Sequence, residues 1–124
     1  MELSLKRKNE LLTGVVLAQE LKPVIEGTRR FITLKSFKRD DSGRVSCWGK
    51  TIPSEDDLKH AIYNLRVYSI RSELIEYDID ESQLSEHTSI TGIDSLNDLY
   101  EEVAPYLDDM TGLIPQWDCD NPIE

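Results

Sequence analysis

The chain has 124 residues, 39% of them hydrophobic and 31% charged, and a formal net charge of −10 at neutral pH. Such a length buries roughly two thirds of the unfolded surface, so neither disulfides nor a metal is required for folding. Aromatic residues in both halves argue against a fully disordered acidic chain, and the net negative charge argues against direct binding to nucleic acid.

The charge is divided. Residues 1–50 carry eleven Lys/Arg against six Asp/Glu, a balance of +5, whereas residues 51–124 carry three against eighteen, a balance of −15. From Ser72 to Glu124 there are fifteen carboxylates and no Lys or Arg; the last base is Arg71. A field of one sign over so long a stretch must be balanced by the basic half of the chain, by a basic partner, or by both. Cys47 and Cys119 lack the paired spacings of zinc sites and read as buried or inert thiols. No apolar run of signal-peptide or membrane-spanning length occurs, the longest being Val15 to Ala18, so a soluble, cytoplasmic protein without membrane association is expected.

In chain order, apolar residues from Leu11 to Ile25 fall loosely on a helical period and predict a helix over about residues 6–26, ended or kinked by Pro23. Gly14 and the β-branched pair Val15-Val16 suit a strand over Leu11–Leu17 instead. The basic cluster Lys6-Arg7-Lys8 reads as a solvated helix start rather than a nucleic-acid site. Two alternating segments flank Arg39-Asp40-Asp41-Ser42-Gly43, and the Gly-terminated polar turn predicts an antiparallel hairpin over residues 30–52. Most of the cations lie here.

Ser54 with Asp57 three residues on forms a capping box, and Leu58, Ala61, Ile62 and Leu65 come after it at helical spacing, predicting a helix over residues 55–66. On that helix Asp56 and His60 would share a face as an acid–base pair, although capping explains the acids without chemistry. Residues 67–78 favour a strand whose faces switch after Leu74, as a bulge would allow; the competing reading continues the helix to about Glu76. Asp78-Ile79-Asp80-Glu81 resembles the start of a calcium loop, but the places that need Gly and Glu hold Gln83 and Ser89, so the motif fails. Asp118-Cys119-Asp120-Asn121 supplies too few ligands. Residues 82–92 read as loop or a short helix, with His87 on the surface.

Ser95 opens a second capped helix, expected over residues 95–104, with Asp98 in the capping position and Pro105 as its stop. Its outward face carries Asp94, Asp98, Glu101 and Glu102 uncompensated by any Lys, at a cost on the order of a few tenths of a kcal/mol per like-charged pair. The remaining acidic arm, residues 108–124, either packs through Leu113, Ile114 and Trp117, the preferred reading, or offers Trp117 among Asp118 and Asp120 as an interaction spot.

The sequence therefore predicts an α+β fold over a single domain, 1–124, with a small antiparallel sheet and helices packed on one of its faces. No phosphate loop, nucleophile elbow, zinc-protease motif or cofactor signature occurs, and no catalytic or metal-binding residue is assigned. The leading function is an acidic inhibitor or binding protein, in the manner of an immunity protein or a nucleic-acid mimic. It would dock Glu73, Glu76, Asp78, Asp80, Asp98, Glu101, Glu102 and Trp117 on a basic partner such as a nuclease or toxin. An accessory subunit of a larger complex is the alternative, and a small enzyme comes third.

Overall fold

The computed structural model describes residues 2–49, 53–74 and 83–119. Its first helix, α1, spans Leu5–Leu12, with the Ser4 hydroxyl accepting the Arg7 N–H at its start. It ends early because Gly14 takes a positive φ of 92° that carries the chain into strand β1, Leu17–Leu21. The helix expected over 6–26 is thus a short helix plus a strand. The β-branched pair Val15-Val16 breaks the helical pattern, and Pro23 lies beyond β1 and caps nothing.

Strand β2, Thr28–Arg39, is the longest element. It turns at Asp40, whose Oδ1 accepts the N–H groups of Ser42 and Arg44, while Gly43 supplies a φ of +87°. The return strand β3 is only Val45–Ser46. The expected hairpin therefore exists at its turn, but β2 finds its main partners elsewhere: β4 (Ala61–Arg71) pairs with it from Thr28 to Lys38, and β1 lies on its other edge.

Helix α2 is Glu55–Leu58, four residues rather than the twelve expected. The capping box forms as read, with the Ser54 hydroxyl accepting the Asp57 N–H and the Asp57 carboxylate accepting the Ser54 N–H. Beyond this short helix the chain becomes strand. Ile62, Tyr63, Leu65, Val67, Tyr68 and Ile70 are β-branched, aromatic or apolar, and all are buried, because the helices cover one face of β4 and the Phe31–Tyr68 cluster covers part of the other. A strand buried on both sides loses its alternation, and its apolar positions then also satisfy helical spacing. The strand expected over 67–78 accordingly starts at Ala61 and ends at Arg71, succeeded by a single 3-10 turn, Ser72–Leu74. The predicted bulge after Leu74 and the Asp78 loop lie outside the described residues.

Within residues 82–92, read as loop or helix, strand β5 begins at Glu86, and it runs on to Ile93. Helix α3 is Leu96–Val103, capped by the Ser95 hydroxyl on the Asp98 N–H, close to the expected 95–104. Strand β6, Ile114–Pro115, pairs with β1. The result is an α+β fold on a six-stranded antiparallel sheet in the order β5-β4-β2-β1-β6, with β3 beside β1 on the free edge of β2.

Both longer helices cover one face. Leu11 and Leu12 of α1 and Leu99 and Val103 of α3 join Leu17, Ile32, Leu34, Tyr63, Leu65 and Val67 in the main core. Each such leucine removed from water stabilises the fold by roughly 1.5–3 kcal/mol. On the opposite face a smaller cluster forms where Phe31 and Tyr68 stack at 5.6 Å between centroids beside Ile70, with Leu74, Leu84 and Cys119 against them. The arm after Leu107 is anchored by buried Met110 and Leu113 and by the β6 ladder. Among the described residues, no helix is long and apolar enough to cross a membrane.

Candidate docking surface

Among the described residues, several carboxylates meet a cation brought to them by the fold, and others face solvent without one. Glu86 at the start of β5 lies two strands from Arg30, and the two form a bidentate pair at 2.8 and 3.1 Å on the helix-covered face. The Arg30 hydrogen bonds, helped by the Ser69 hydroxyl at 3.0 Å, hold the Glu86 carboxyl below its usual range against the opposing effect of desolvation. Arg30 also stacks on Tyr106, 5.3 Å from the ring centroid. On the other face Glu20 chelates Arg29 at 2.7 and 2.8 Å and is likewise held low by it. Lys38 donates to Asp57 at 3.0 Å, and this bond, together with those from Ser54, depresses the Asp57 carboxyl. Arg39 approaches Asp94 at 3.6 Å, and Arg71 pairs with Glu73 at 2.8 Å. In the main core, burial pushes the Tyr63 phenol up to about 12, which leaves it neutral at any physiological pH.

The basic hairpin thus neutralises only part of the acidic half. Asp98, Glu101 and Glu102 of α3 are exposed and form no ion pair with another described residue. Their place is set by the helix. Leu99 and Val103 point into the core, and the Tyr100 hydroxyl accepts the N–H of Leu3 at 3.3 Å, turning that flank toward the base of α1. Asp98 and Glu102, one turn apart, share the opposite flank. Helix α3 packs on β4 and β5, so this acidic flank stands at the β5 side of the molecule.

The eight residues singled out from the sequence do not form one face. Asp98, Glu101 and Glu102 are brought together on α3. Glu73 is exposed at the end of β4 but tied to Arg71. Trp117 is 68% exposed, in a 3-10 turn after β6, at the sheet edge remote from β5. The packing expected of it is corrected: Leu113 carries the anchoring, Ile114 is half-buried, and the indole faces solvent. Glu76, Asp78 and Asp80 lie outside the described residues. Of the two cysteines read as buried or inert, Cys47 is exposed and Cys119 is half-buried.

No ion pair forms between Asp56 and His60: α2 ends at Leu58 in a turn where the His60 N–H bonds the Asp57 carbonyl. His60 Nδ1 instead lies 3.8 Å from the fully exposed Asp41 carboxylate. A shallow depression of about 400 Å³ collects His60 with Lys38, Asp40, Asp41, Asp56 and Asp57. It holds no Ser or Cys nucleophile. Among the described residues no group of three His, Cys, Asp or Glu side chains is arranged to hold a metal ion. A second shallow groove of about 290 Å³ crosses the sheet face that the helices leave uncovered, lined by Thr33, Lys35, Phe37, Asn64, Arg66 and Ser89.

Strand β5 is the feature that sequence reasoning missed. It carries no Pro, Lys or Arg, and its Thr88 and Ile90 are half-buried while His87, Ser89 and Thr91 are exposed. The alternation Thr88-Ile90 between exposed polar residues was the available signal. Gly92, at φ +69°, makes the bulge opposite Asn64, whose Oδ1 accepts the Gly92 N–H at 3.1 Å. No known protein family, no curated protein and no solved structure matches this chain.

Proposed function

We propose that this chain is an acidic binding or inhibitor protein that docks the α3 surface on a basic protein partner, in the manner of an immunity protein or a nucleic-acid mimic. The observation that carries the reading is that Asp98, Glu101 and Glu102 stand exposed on one helix without an ion pair, while Glu86, Glu73, Asp57 and Asp94 are each matched to a cation. Three uncompensated carboxylates on one short helix cost stability in the free chain. A basic partner reverses the sign of that effect and is steered toward the surface by it.

The test is capture from the native host lysate on the immobilised chain, with the Asp98→Lys/Glu101→Lys/Glu102→Lys chain in parallel and washes at low and high salt. One basic protein retained at low salt, released at high salt and lost from the triple variant is the expected result. The same protein retained equally by the triple variant sinks the assignment of these residues. Several proteins that stay bound through the salt wash on both chains would favour an accessory subunit of a larger complex.

A further inference from the structure

We infer that the outer edge of β5 is a strand-addition site, and that its occupant is an extended, lysine- or arginine-bearing segment of the partner. This rests on the acidic-surface reading above and specifies how the partner would be held.

Among the described residues, β5 pairs only with β4, so alternate N–H and C=O groups along Glu86–Ile93 face outward without a strand partner. Proteins usually blunt such an edge by making it very short or by placing Lys, Pro or a bulge along it. On the other side of the sheet the outermost strands obey that rule, because β3, beside β2, and β6, beside β1, are two residues each. The β5 edge does not. It is eight residues long, lacks Lys, Arg and Pro, and meets a bulge only at Thr91-Gly92, leaving Glu86 to Ile90 regular. An unblunted edge offers main-chain hydrogen bonds to any extended chain of suitable side-chain chemistry.

Charge selects that chemistry. A strand added beyond β5 would lie about 4.8 Å further out. Helix α3 packs on β5 as well as on β4, and its Asp98–Glu102 flank is turned away from Leu3, toward the side on which that strand would lie. Residues four apart on a helix are separated by about 6 Å along its axis, and alternate residues of a strand by about 6.6 Å. Two cationic side chains at i and i+2 of an added strand therefore match the spacing of Asp98 and Glu102. A second copy of this chain fits less well, since pairing β5 with itself would bring two acidic α3 flanks together.

The probe is a fluorescent peptide of alternating lysine and threonine as long as β5, used with the intact chain. Its companions are the same peptide N-methylated on alternate residues, which keeps every charge but blocks one hydrogen-bonding edge, and a peptide of alternating glutamate and threonine. Expected are binding of the lysine peptide, slowed amide exchange along Glu86 to Ile90, about tenfold weaker binding of the N-methylated peptide, and no binding of the glutamate peptide. Equal affinity for the methylated peptide would overturn strand addition while leaving the acidic-surface reading intact. Unchanged affinity in the Asp98→Lys/Glu102→Lys chain, with β5 still protected, would overturn the basic occupant and the acidic-surface reading together. A free chain that sediments as a dimer with β5 already protected would assign the edge to a second copy and so overturn the inference, and absence of binding by the lysine peptide would also refute it.

Discussion

Two stretches of this chain begin with the same signal and end differently. Ser54 and Ser95 each cap a helix start, each with an aspartate three residues on, yet α2 runs four residues and α3 eight. The difference lies downstream. After Leu58 the chain supplies Ile62, Tyr63, Val67, Tyr68 and Ile70, residues that β2 and β5 receive on both edges of a central strand. After Leu96 it supplies Leu99, Tyr100, Glu101 and Glu102, whose apolar members form one stripe, until Pro105 removes the donor needed to continue. A cap sets where a helix starts, and the apolar period of the downstream residues sets how far it runs. The two aspartates also part ways, for Asp57 is bonded by Lys38 and by Ser54, whereas Asp98 faces solvent without an ion pair.

Truncating one leucine in each helix separates the two most widely. Leu99 is fully buried, and Leu99→Ala should cost about 2–5 kcal/mol in urea unfolding. Leu58 is 42% exposed, and Leu58→Ala should cost less than about 1 kcal/mol; similar losses at both would mean that α2 is as firmly packed as α3. Next in size are the caps. Ser95→Ala should lower global stability by about 1 kcal/mol, while Ser54→Ala should act mainly on α2, seen as faster amide exchange around Asp57 and Leu58 with a smaller global loss.

Acid should distinguish the paired carboxylates by sign. Glu86, Glu20 and Asp57 are held below their ordinary ranges by Arg30, Arg29 and Lys38, so the folded state binds their protons less readily than the unfolded chain does. Their stabilisation is therefore fully present above the unfolded values of about 4 and is lost as pH falls through the depressed folded values. Glu86→Gln should flatten the fall in thermal midpoint below about pH 4.5, and an unchanged slope would show that the Arg30 pair carries none of it. The smallest effect belongs to the unpaired helix: Glu102→Lys relieves the repulsion from Asp98 and should raise stability by a few tenths of a kcal/mol, more at low salt than at high.

Local chemistry made part of the fold legible. The Asp40 to Gly43 turn, the Ser54 box and the Ser95 helix are each specified by residues within a few positions of one another. The first half of strand β4, residues 61–66, was hidden because its buried apolar positions also satisfy helical spacing, and β5 because an edge strand shows only half a pattern, in Thr88 and Ile90, among Ser, Thr and His. The candidate surface divides in the same way. That the C-terminal half is acidic can be counted from the sequence, but which acids stay uncompensated depends on long-range pairing. Glu86 meets Arg30 from 56 positions away, and no local rule identifies that pair.

The most direct measurement is the affinity of the captured basic partner for the wild-type chain and for the Asp98→Lys/Glu101→Lys/Glu102→Lys chain, titrated over a range of salt. Expected is a loss of about tenfold or more at low salt in the triple variant, together with a shallower dependence of affinity on salt. Equal affinities and equal salt dependence would show that the partner is held elsewhere and would contradict a docking role for α3.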